Sequence, residues 1–67
     1  MSNQMSVYKW DIKVRSPKPN GEVHVQVHSV PSEGESENSS RLNALEQLRK
    51  YFPATDGHEF VGMKLVS

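Results

Sequence analysis

The stretch Tyr8-Lys9-Trp10-Asp11-Ile12-Lys13-Val14-Arg15 decides the reading of this chain. Apolar and polar side chains alternate without a break. Tyr8, Trp10, Ile12 and Val14 form one set; Lys9, Asp11, Lys13 and Arg15 form the other. Period two is the spacing at which a β-strand sends successive side chains to opposite faces. Glu22–Ser29 repeats the pattern, with Val23, Val25 and Val27 set against Glu22, His24, Gln26 and His28. Between the two lies Ser16-Pro17-Lys18-Pro19-Asn20-Gly21, rich in turn formers. An antiparallel hairpin is expected. Facing apolar to apolar pairs Val14 with Val23, Ile12 with Val25 and Trp10 with Val27, and sets Arg15 opposite Glu22. A slip by one residue would turn every valine to water.

Outward from the hairpin the pattern weakens. Met1–Ser6 is polar and aperiodic and reads as a disordered N-terminus. Residues 30–40 carry Glu33, Glu35 and Glu37 among serines, Pro31 and Gly34, and read as a flexible acidic loop, with Ser32 and Ser36 as modifiable hydroxyls. Ser39 or Ser40 is the expected N-cap of a helix over 41–52. On that helix Ala44, Leu45, Leu48 and Phe52 share a face, with Leu42 and Tyr51 on its flanks, and Asn43, Gln47 and Lys50 lie opposite. Glu46 and Lys50 have the spacing of a helical ion pair, and Pro53 ends the segment. Asp56-Gly57 supplies a turn, and Phe60–Val66 the last strand, with Val61, Met63 and Leu65 assigned inward.

The element order β-β-α-β predicts an α+β fold, a single small domain over residues 7–67. One helix packs on one face of a three-stranded sheet. The sheet is expected to be antiparallel with the first strand central, because that strand carries the largest apolar load. The expected core is Tyr8, Trp10, Ile12, Val14, Val23, Val25, Val27, Leu45, Leu48, Phe52, Val61, Met63 and Leu65. The far face would carry Lys9, Asp11, Lys13, Arg15, His24, Gln26 and His28, as an antiparallel sheet tolerates. Both sheet edges would be free to accept a further strand.

Composition narrows the function classes. The sequence has 67 residues, no cysteine, and eight basic against eight acidic residues. Neither a disulfide framework nor a thiolate metal site is available. No apolar run approaches the ~18 residues of a membrane span, and no signal-peptide pattern opens the chain, so a cytoplasmic protein is expected. His24 and His28 have the spacing of a helical zinc motif, but on a strand four residues span about 13 Å, too far for one ion. Asp11 would lie between them across the hairpin. His58 between Asp56 and Glu59 reads as turn decoration. No nucleophile elbow, glycine-rich phosphate loop or carboxylate pair is present. No enzyme activity, cofactor or metal is expected.

Lys9, Lys13, Arg15 and Lys18 gather on the hairpin, while Glu33, Glu35 and Glu37 follow its second strand. Such charge segregation suits a protein partner of mixed charge. With Lys64 these are the candidate partner-binding residues. A DNA- or RNA-binding protein using the basic hairpin is the second choice, although no exposed aromatic platform accompanies the charges. A subunit that dimerises through a sheet edge is the third, which leaves a monomer or weak homodimer.

The hairpin with its Asn20-Gly21 turn, the helix with Leu45 and Leu48 ending in Tyr51-Phe52-Pro53, and the closing strand Phe60–Val66 form a layout over residues 7–66. It resembles small bacteriophage early proteins that bind and inhibit host RNA polymerase. The chain differs in its longer acidic loop and in carrying Lys64 alone where those proteins present arginines from the last strand. The resemblance implies a small non-catalytic protein of phage or mobile-element origin, acting in the host cytoplasm by occupying a host protein's surface.

Overall fold

A computed structural model describes residues 5–66. Strand β1 (Ser6–Pro17), strand β2 (Val23–Gly34), helix α1 (Glu37–Tyr51), a short 3-10 turn (Ala54–Asp56) and strand β3 (Glu59–Leu65) follow in that order. They form an antiparallel sheet of order β2-β1-β3 with the helix on one face. The fold class, element order and central position of β1 are those read from the sequence. The expected disorder of Met1–Ser6 is corrected at its end, where Ser6 opens β1; residues 1–4 lie outside the described residues.

The hairpin closes more tightly than expected. Pro17 pairs with Val23, and a five-residue turn, 18–22, joins the strands. Within it Lys18 N–H donates to Glu22 O at 2.8 Å and Gly21 N–H to Lys18 O at 3.0 Å. Asn20 Oδ1 accepts from Glu22 N–H at 3.1 Å. Gly21 sits at φ +87°, where a side chain would be strained.

This turn sets a different register. Trp10 pairs with Val30 rather than Val27, Ile12 with His28 rather than Val25, and Val14 with Gln26 rather than Val23; Arg15 faces Val25, not Glu22. The displacement is three residues. An odd displacement exchanges the faces of the second strand. Val23, Val25 and Val27 therefore leave the expected core and stand 46%, 49% and 56% exposed. His24, Gln26 and His28 move to the helix side instead of the far face. Asp11 lies on the opposite face from them and accepts from Ser29 Oγ at 2.7 Å. His28 packs its ring 4.9 Å from Phe52, and its Nε2 is buried with no hydrogen-bond partner among the described residues.

Residues 30–34, expected as part of an acidic loop, continue β2 inward: Val30, Ser32 and Gly34 are buried. Ser32 is 2% exposed, so it is not an accessible modification site. The helix then starts four residues early. Ser36, rather than Ser39 or Ser40, is the N-cap, its Oγ accepting from Ser39 N–H at 3.2 Å. Glu37, with its charge in the first turn, suits the helix dipole. Phe52 closes the helix through its N–H to Leu48 O at 2.8 Å.

Ser40 is buried inside the helix and ties three elements together. Trp10 Nε1–H donates to Ser40 Oγ at 2.9 Å, Ser40 Oγ–H donates to Ser32 O at 2.8 Å, and Ser32 Oγ–H donates to Ser40 O at 2.7 Å. Gly34 permits this close approach. A Cβ there would sit 2.4 Å from Ser40 N and 2.8 Å from Ser40 Cα.

Trp10, Ile12, Val14, Val30, Ala44 and Leu48 make the buried core; Tyr8, Leu45, Phe52, Phe60, Met63 and Leu65 pack around it. Val61 is corrected to the surface. The register of β1 with β3 shifts between Lys13 and Val14, so that Lys13 pairs with Gly62 but Val14 with Phe60. This bulge leaves Val61 over and turns Phe60 toward the helix side.

Candidate protein-binding surface

The helix covers only part of the sheet, for a geometric reason. Two residues, Glu35 and Ser36, connect Gly34 to the start of α1. The helix must therefore begin beside Gly34 and run back along β2. Its 15 residues rise about 22 Å, the length of roughly seven strand residues. That reach ends near His28, where Phe52 is found. The hairpin end from Val23 to Val27 lies beyond it. The molecule is accordingly long and thin, 54 × 21 × 13 Å.

A second cluster pins the helix end to β3. Arg49 Nη1 donates to Phe52 O at 3.2 Å and to His58 O at 3.1 Å, and its guanidinium lies 4.1 Å over the Phe60 ring. Phe52 and His58 meet edge to face at 5.2 Å, and His58 Nδ1 shares a 2.7 Å hydrogen bond with Ser16 Oγ. His58 is thus a packing residue joined to the hairpin. Glu59 instead pairs with Arg15 at 3.6 Å on the exposed far face, the one ion pair among the described residues. At that exposure it adds little stability.

Of the candidate contact residues, Lys9, Lys13 and Arg15 share the far face along β1, and Lys64 joins them beside Asp11. Lys18 is in the turn at the hairpin tip. Glu33 lies on the far face at the other end of β2, Glu35 in the connection and Glu37 in the first turn of α1. The structure brings together the basic set of the sheet and does not bring the acidic residues to it. What the sequence reading missed is the company they keep. Val27 lies beside Lys13 and Val25 beside Arg15, so an exposed valine row runs along the basic row. The alternation of Glu22–Ser29 announced the valine row; only its side was misassigned.

The outer edge of β2 has two unlike halves. Glu22 O bonds inward across the hairpin turn, so alternation points the N–H and C=O of the odd-numbered residues outward. At Pro31 and Glu33 these outward groups are dealt with. Pro31 has no N–H, Gln47 Nε2 donates to Pro31 O at 3.4 Å, and Asn43 Nδ2 donates to Glu33 O at 2.8 Å. Asn43 and Gln47, on the helix face opposite the expected core stripe, are edge caps. Among the described residues nothing gives Val23, Val25, Val27 or Ser29 such cover.

Comparison with known proteins finds no matching family model, no matching curated protein and no matching solved structure. The surface itself therefore carries the functional argument. Among the described residues no group of three or more His, Asp or Glu side chains gathers as a metal site, and no helix is long and apolar enough to cross a membrane. A groove between α1 and β3, lined by Leu42, Leu45, Arg49 and Phe60, lies open to solvent.

Proposed function

We propose that this chain is a small non-catalytic protein-binding module whose contact surface is the far face of the hairpin. One observation carries the reading: Val23, Val25 and Val27 stand in water as an unbroken row, flanked by Lys13 and Arg15. A contiguous apolar row rimmed by charge is the composition of a protein contact, with the valines supplying burial and the cations orientation. A surface serving only solubility has no use for three β-branched side chains at an open strand edge. Modulation of a host protein assembly, with RNA polymerase the first partner to test, follows from the layout resemblance to phage early proteins.

The test is affinity capture from bacterial lysate, with the wild-type chain compared against Val25→Ser/Val27→Ser/Lys13→Ala. A partner held by the first and lost by the second supports the reading, and purified RNA polymerase is then titrated directly. Capture that is identical for both chains, or absent for both, overturns it.

A further inference from the structure

We infer that the open half of β2 pairs antiparallel with the same segment of a second copy, about a two-fold axis at Val25. This joins two sheets into one of six strands. It goes beyond the contact-face reading: that face is then doubled, with the valine rows of two copies continuous across the axis.

The strand's own pattern selects the register. The residues with free outward N–H and C=O groups are Val23, Val25, Val27 and Ser29, and pairing must match them to one another. With Val25 on the axis, Val25 faces its own copy and Val23 faces the other copy's Val27. All three valines then meet valines, through about six interchain N–H···O bonds. On the helix side His24 faces Gln26 and Glu22 faces His28, so no like charges meet. Moving the axis to Gln26 sets His24 against His28 and pairs Val23 with Ser29. Moving it to Val27 brings the second copy to Pro31, which has no N–H, and under the overhanging Gln47 and Asn43. In the Val25 register the second copy's strand turns away at Gly21, opposite Ser29, just where the capped half begins.

The opposite edge of the sheet is better defended. β3 is only seven residues long, carries the bulge at Val61, and bears Glu59 and Lys64. Stacking two far faces instead would bring Lys9, Lys13, Arg15 and Lys64 of both copies together, a net positive surface that Asp11 and Glu59 offset only in part, and the residual repulsion opposes it. An edge contact of this length is small, so association is weak and concentration-dependent.

Sedimentation equilibrium from micromolar to millimolar concentration tests the pairing. The wild-type chain is expected to show reversible dimer formation. Val25→Lys and Val25→Glu each place like charges opposite one another, and each weakens association by about tenfold or more. An equimolar mixture of the two restores it, because only an axial residue meets its own copy. Val25→Cys, in a chain without other cysteines, is expected to oxidise to a covalent dimer much faster than Val7→Cys, since facing Cα atoms of a hydrogen-bonded pair lie about 5.5 Å apart, within disulfide range. A monomer throughout, a dimer indifferent to charge at Val25, or equal oxidation at the two positions overturns the pairing. A monomer would leave the contact-face reading to the capture experiment, which judges it separately.

Discussion

The two halves of β2 belong to one unbroken strand and live in different environments. From Val30 to Gly34 the strand lies under the helix: its inward side chains are buried, Ser32 is tied to Ser40, and its outer carbonyls are capped. From Val23 to Val27 the strand is paired with β1 alone, its valines in water and its outer edge bare; His28, packed on Phe52, marks the limit of the helix's cover. The difference shows that hydrophobicity by residue type does not place a side chain in the core. Cover does, and here cover ends where the helix ends.

The covered half of β2 is most vulnerable at Gly34. Gly34→Ala drives a methyl into the backbone of Ser40. It should cost about 3 kcal/mol or more, since the first turn of α1 must move away. Urea denaturation monitored by Trp10 fluorescence measures this. The matched pair Val30→Ala and Val25→Ala sharpens the contrast directly. The first should lower stability by about 2 kcal/mol and the second by less than about 0.5 kcal/mol, in the same denaturation experiment. An equal loss at both positions would mean that the hairpin end is covered after all.

Ser40→Ala leaves the Trp10 indole N–H buried without its acceptor. The expected loss is about 1.5 kcal/mol, and indole N–H exchange by NMR should quicken along with it. The smallest effect belongs to the edge caps. Asn43→Ala and Gln47→Ala should each cost about 0.5 kcal/mol, being partly solvated bonds. Amide exchange should quicken at the Asn43 end of β2 while Val23–Val27 is unchanged.

Much of the fold was legible in local pattern. In β1 the faces are as the alternation reads them, with Trp10, Ile12 and Val14 buried. Ala44 and Leu48 face the core as helical spacing requires, and Pro53 follows the helix end. The start of the helix was not legible, because Ser36, Ser39 and Ser40 are all acceptable caps. Ser40 became a buried hub through Ser32 on the preceding strand and through Trp10, 30 residues away in sequence. Phe60 and Val61 exchanged roles at a bulge, which alternation alone does not reveal. Of the candidate contact residues, the basic row on β1 was visible from its period. The neighbouring valines were visible too, but assigned to the wrong side, and the edge caps Asn43 and Gln47 looked like ordinary polar positions.

By itself the sequence determined that β1 is a strand with one greasy face, that a hairpin follows, and that a helix stopped by Pro53 leads to a last strand. The valine alternation of β2 argued for one phase, with Val23, Val25 and Val27 inward, whereas the folded chain adopts the other, with Val30, Ser32 and Gly34 inward. Only the tertiary structure chose between them. A two-residue connection and a helix of about 22 Å cover the Val30–Gly34 half alone, so burial there outweighed three valines that nothing could reach.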